Sequence, residues 1–224
     1  NLLKLDKNEK VKAIVPYGND DSAKYLFFVT RKGIVKRVPI EEFYNIRTNG
    51  KIAIVLREDD ELIGVKVTDG NKDILLVTKE GMSIRFDEND IRPMGRTAMG
   101  VKGITLSNDD KVVSMNLCEE GTDVLVVSEN GFGKRTDINE YRTQIRAGKG
   151  IKTYNIAEKT GKPVGAEMVN EDDEMMIINS DGVLIRLRVN EISLFGRVTS
   201  GVKLMKTDEE VNVVSISKIK MEEE

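Results

Sequence analysis

Four arginines, Arg37, Arg85, Arg135 and Arg186, each stand four residues beyond a glycine (Gly33, Gly81, Gly131 and Gly182). Each is followed by a loop that presents an arginine, a glycine and a lysine, at 47–51, 96–103, 146–150 and 197–203. Guanidinium and ammonium groups neutralise phosphate oxygens, and glycine lets a main chain approach a phosphate closely. The pattern therefore points to a polyanion. Its candidate contacts are Lys36, Arg37, Arg47 and Lys51 in the first copy, and Arg85, Arg96 and Lys102 in the second. The third copy supplies Lys134, Arg135, Arg146, Gly148 and Lys149, and the fourth Arg186, Arg188, Arg197 and Lys203.

Other chemistries are poorly served. The chain has no histidine and one cysteine, Cys118, which removes a Ser-His triad, a histidine base, a His-ligated zinc and any multi-cysteine metal site. Cys118 reads as a small buried hydrophobe. The segment Gly95–Gly100 continues into Val101 and Lys102, not Lys-Ser/Thr, so it is not a phosphate-binding loop of the nucleotidase kind. Asp59 and Asp60 read as a solvated turn. No cofactor is implied.

The elements that carry these residues repeat. The segments LFFVTRKGIVKR (26–37), ILLVTKEGMSIR (74–85), VLVVSENGFGKR (124–135) and MMIINSDGVLIR (175–186) align, with turn glycines 48, 50 and 51 residues apart. A period near fifty residues belongs to propeller blades and kelch-type units. In each copy an apolar inner strand leads to a glycine turn, expected to be type I′, and a second strand carries the basic residues. Two more strands follow the loop, such as 52–56 and 62–67, separated by an acidic turn. The acidic turns lie at 58–61, 109–110, 171–174 and 208–210.

The expected fold is all-β and propeller-like, built of four-stranded repeats at 25–72, 73–121, 122–173 and 174–219. Residues 1–24 resemble the second half of a repeat, which makes about five blades, and 220–224 form an acidic tail. A chain opening on Asn1 reads as part of a longer protein. With no run of 18 apolar residues and no signal peptide, a cytoplasmic location is expected.

Net charge is −3, from 35 basic and 38 acidic residues, yet the charge is segregated. Windows 31–51 and 134–152 each hold six basic and two acidic residues, or +4; 186–203 is +3 and 85–102 is +1. Stacked repeats place equivalent positions on one edge, which gives a basic belt. The competing reading is that solvent-facing Lys and Arg serve solubility and edge protection. Aromatic content of 5% argues against single-strand stacking.

At ELIGVKVT (61–68), RPMGRTAMGVKGI (92–104), ENGFGKRT (129–136), RAGKGI (146–151) and GRVTSGVKL (196–204) the chain closely resembles the C-terminal domain of the bacterial DNA gyrase A subunit. The resemblance covers essentially the whole chain. It implies a β-pinwheel whose blades exchange strands, with a basic outer edge that wraps duplex DNA. It also implies partnership with the rest of the gyrase A subunit, together with the gyrase B subunit, in the bacterial cytoplasm at the nucleoid. The domain would be non-catalytic within an ATP-dependent topoisomerase that introduces negative supercoils.

The family's box, Gln-Arg-Arg-Gly-Gly-Lys-Gly, would lie upstream of Asn1. Its nearest internal counterpart is 144–150, Gln-Ile-Arg-Ala-Gly-Lys-Gly, identical at five of seven positions. Two alternatives stand beside this reading: the corresponding domain of the topoisomerase IV A subunit, or a propeller scaffold that binds a protein partner.

Overall fold

The computed structural model describes residues 7, 10–16, 22–46 and 50–219. In the first repeat β1 (Tyr25–Thr30) and β2 (Ile34–Pro39) form a hairpin, and β3 (Leu62–Thr68) returns along β1. The second contributes β4 (Asp73–Thr78), β5 (Met82–Asp87), a two-residue β6 (Val101–Lys102) and β7 (Val112–Leu117). The third repeats the order with β8 (Asp123–Ser128), β9 (Phe132–Asp137), β10 (Ile151–Lys152) and β11 (Pro163–Val169). The fourth has β12 (Glu174–Asn179), β13 (Leu184–Arg188), β14 (Val202–Lys203) and β15 (Val213–Ile219).

The sheets do not follow the repeats. Their strand orders are β3-β1-β2-β6, β7-β4-β5-β10, β11-β8-β9-β14 and β15-β12-β13. Each two-residue strand thus completes the sheet of the repeat before its own. The fourth sheet receives no such strand among the described residues, and Val183 and Leu184 beside its free edge are exposed.

Four sheets are present among the described residues, against about five expected. The described residues of the half repeat at 1–24 form no strand, and the tail at 220–224 lies outside the described residues. The strand expected at 52–56 is also absent: its counterparts pair over two residues only, and no earlier sheet is present among the described residues to receive it.

Apolar packing explains the leading strands. On β4, Ile74 and Leu76 join Phe27, Val29 and Val35 of the first sheet, while Leu75 and Val77 join Val124 and Val126 of the third. Likewise Leu125 and Val127 on β8 pack against Met175 and Ile177. A central blade is covered on both faces, so its inner strand reads as an unbroken apolar run. In the end blade, β12 alternates, with Met176 and Ile178 only half-buried.

The hairpin turns are one residue longer than the type I′ turns expected. Positive φ is confined to the glycine (Gly33 at 76°, Gly81 at 74°, Gly131 at 76°, Gly182 at 79°), and the glycine amide donates three residues back, as from Gly33 to Thr30 O at 3.0 Å. This is a type I turn closed by a left-handed glycine. The side chain at the turn's start accepts the amide four residues on, as in Ser128 Oγ from Phe132 N at 3.3 Å and Asn179 Oδ1 from Val183 N at 2.9 Å. The acidic turns add a cap. Asp60 is buried, not solvated as expected, because its Oδ1 accepts the amides of Lys32 and Glu61, each at 2.9 Å. Asp110 does the same for Glu80 and Lys111.

Candidate nucleic-acid interface

The recurring arginines on the second strand of each hairpin are clamps between blades. Arg135 is 6% exposed; its Nε donates to Ile192 O at 2.7 Å and its Nη1 to Asp123 Oδ2 at 2.9 Å. Arg37 is 5% exposed and holds Ile91 O and Asn89 Oδ1 while stacking 4.6 Å from the Tyr25 ring centroid. Arg85 reaches Tyr141 O at 3.3 Å and Asp73 Oδ2 at 2.7 Å. Ile91, Tyr141 and Ile192 are equivalent positions of the following blade, and the companion at position −12 is Tyr25, Asp73, Asp123 or Glu174. Arg186 pairs with Glu174 and, with no later blade to grip among the described residues, stays exposed.

Two lysines beside these arginines are also withdrawn from the surface. Lys134, fully buried, donates from Nζ to Gly196 O at 2.7 Å and Arg197 O at 2.6 Å. Lys36, equally buried, serves Ala53 O and Ala98 O at 2.9 Å and also Arg96 O. Loss of solvent pushes both ammonium groups down from 10.5 to about 8. The expectation that Lys36, Arg37, Lys134 and Arg135 meet a polyanion is therefore corrected: burial and carbonyl partners leave them no open face. Arg85 keeps only part of one.

The basic edge lies in the loops. Lys102, Lys203 and Lys149 are exposed, as is Arg188 on the open edge of β13. Lys203 Nζ lies 4.9 Å from the Phe132 ring centroid. Lys51 is half-buried, its Nζ donating to Glu42 O and Tyr44 O; Arg47 lies outside the described residues. Gly148 makes no close approach that a side chain would disturb, and its carbonyl accepts from Thr105 N at 2.8 Å. Arg96, Arg146 and Arg197 are half-buried, each with an Nη1 donated to a backbone carbonyl of the preceding loop.

The glycines that matter most for geometry precede the two-residue strands. Gly100, Gly150 and Gly201 have φ of 95°, 76° and 76°, and a Cβ there would lie 2.6 Å from Val35 O, 2.2 Å from Ser83 O and 2.1 Å from Gly133 O. They let one blade's loop reach the previous blade's strand. Aligned on them, Lys102, Lys152 and Lys203 share one position. Lys152 escapes a match of the loops by their nearest lysine, which selects Lys149; matching by the glycine finds it. Lys152 is exposed, its Nζ 3.1 Å from Asn155 Oδ1.

Cys118 is buried and its thiol is pushed up to about 12, chiefly by desolvation, so it packs as a hydrophobe. No helix among the described residues is long and apolar enough to cross a membrane.

Fold and site together define a strand-exchanged β-propeller with lysines regularly placed on one edge. The family described as DNA gyrase C-terminal domain, beta-propeller, matches at residues 24–69, 72–119, 122–170 and 173–220, and the chain belongs to it. The DNA gyrase A subunit of Halalkalibacterium halodurans is 57% identical over 224 residues, covering 100% of this chain and 27% of that protein. The corresponding gyrase protein of Clostridium acetobutylicum is 48% identical over 219 residues, covering 98% and 26%. The chain thus spans about a quarter of the length of these curated relatives. Among solved structures, the C-terminal domain of DNA topoisomerase IV has a TM-score of 0.90 at 25% identity, covering 98% of this chain and 69% of that one. The DNA gyrase A C-terminal domain has 0.86 at 26%, covering 98% and 73%.

Proposed function

We propose that the loop edge of this chain binds duplex DNA without sequence preference and wraps it, as a non-catalytic domain of the gyrase A subunit, working with the gyrase B subunit in the bacterial nucleoid. The observation that supports it is the recurrence of exposed Lys102, Lys152 and Lys203 at one register of successive blades. Ammonium groups repeated at one position of successive blades can follow a phosphate backbone and favour its bending toward the protein. Lys51, Lys149 and Arg188 extend the same edge, and residues 1–219 act as one unit. The bend over 20–30 bp costs roughly 1–6 kcal/mol, offset by contacts spread over several blades.

Gel-shift titration over a salt series tests the reading. With about six phosphates neutralised, log K falls against log salt with a slope of roughly −5, and replacing Lys102, Lys152 and Lys203 by Gln reduces the slope by roughly 3. A flat salt dependence, or no binding at low salt, rejects the assignment.

A further inference from the structure

One contact is repeated between successive loops. Arg96 Nη1 donates to Ile52 O at 3.0 Å, Arg146 Nη1 to Lys102 O at 3.0 Å, and Arg197 Nη1 to Lys152 O at 2.6 Å. The acceptor is each time the second residue after the loop glycine Gly50, Gly100 or Gly150. In two of the three joints the gripped residue is the lysine whose ammonium faces solvent.

A second anchor on the same preceding repeat holds each arginine loop. Arg146 Nε donates to Asp90 O at 3.0 Å, so one guanidinium spans two backbone carbonyls. Arg96 Nε lies 3.4 Å from Glu42 Oε2, and the amide of Arg197 donates to Glu140 Oε2 at 3.0 Å. The loops are thereby linked in series along the edge, from 50–52 through 96–102 and 146–152 to 197.

We propose that Arg96, Arg146 and Arg197 are positioning residues that set the spacing and angle between the lysines of neighbouring blades, and with them the curvature given to the duplex. The proposal rests on the DNA-wrapping reading above. A guanidinium suits the task because its planar fork offers donors in fixed, divergent directions. A lysine carries the same charge on a single nitrogen and cannot occupy both the Nε and Nη1 positions that Arg146 uses, nor reproduce the reach of Nη1 in Arg96 and Arg197. Arginine-to-lysine exchange thus separates charge from geometry.

The test uses the full-length polypeptide with two readouts: the salt slope of duplex binding, and the linking-number change trapped when nicked circular DNA is sealed with protein bound. For the triple variant Arg96→Lys, Arg146→Lys, Arg197→Lys we expect a slope within one unit of the parent and at least a threefold smaller linking-number change per bound protein. The pair Lys102→Gln, Lys152→Gln should instead lower the slope by roughly 2. An unchanged linking number in the triple variant overturns the proposal. So does a slope reduced by about 3 in the charge-removing triple variant Arg96→Gln, Arg146→Gln, Arg197→Gln, which would make the guanidinium groups direct phosphate ligands. If the parent protein itself traps no linking-number change, the wrapping reading fails and takes the proposal with it. Should the triple variant lose its cooperative melt, Arg146→Lys alone carries the same two measurements.

Discussion

At the scale of the residue, a charge repeated four times has two possible reasons, and the surroundings decide between them. Arg135 sits against Asp123, whose carboxyl is pushed up by desolvation and drawn back down by that guanidinium. Removing the arginine leaves a carboxylate that is 8% exposed without its partner and Ile192 O without its donor. Arg135→Met is therefore expected to destabilise the fold by about 3–5 kcal/mol, read from the shift of the denaturant midpoint. Leaving the salt slope of DNA binding unchanged is part of the same expectation. The sequence carried the discriminating sign in Asp73, Asp123 and Glu174, each twelve residues before its arginine. Across the hairpin that spacing places acid and base at diagonal positions on one face, within reach of a long side chain. Recurrence of the arginine alone fits a clamp and a phosphate ligand equally well.

At the scale of the element, the joint between blades is a two-residue strand entered through a left-handed glycine. Gly150→Ala brings a methyl to 2.2 Å from Ser83 O, whereas Gly50, at the same φ of 76°, has nothing within 4 Å. Both substitutions carry the left-handed penalty, about 1 kcal/mol. Only Gly150→Ala must also part β10 from β5, so its loss in melting temperature should exceed that of Gly50→Ala by several degrees. The hairpins were legible in the sequence because their six-residue inner strands read as apolar runs and their turns are marked by glycine. The joints were not, since two residues have no period, and pairing with the preceding sheet leaves no local trace. The buried caps Asp60 and Asp110 were hidden for a related reason: a carboxylate among charged neighbours reads as solvated until the amides it accepts are placed beside it.

At the scale of the whole molecule, the core is a series of layers between sheets, so a position's weight depends on where its blade stands in the row. Leu75 on β4 and Met176 on β12 are equivalent, yet Leu75 is fully buried between two sheets and Met176 faces the side where the row stops. Leu75→Ala is expected to cost about 2–5 kcal/mol, and Met176→Ala less than half of that, by equilibrium denaturation. Sequence alone showed the architecture, because it is a sum over repeats. The assignment of each basic residue to clamp, joint or edge was not legible, because it depends on which carbonyl of the next blade lies within reach.

The backward loan of a strand has a consequence for how such a chain changes over generations. At each of the three seams among the described residues a repeat completes the sheet before it, so the seams share one plan. Duplicating or deleting a stretch of about fifty codons inserts or removes one seam and leaves the rest intact. The number of blades is then a copy number, and the lysine-bearing edge can be lengthened or shortened by recombination while the plan of each seam is kept.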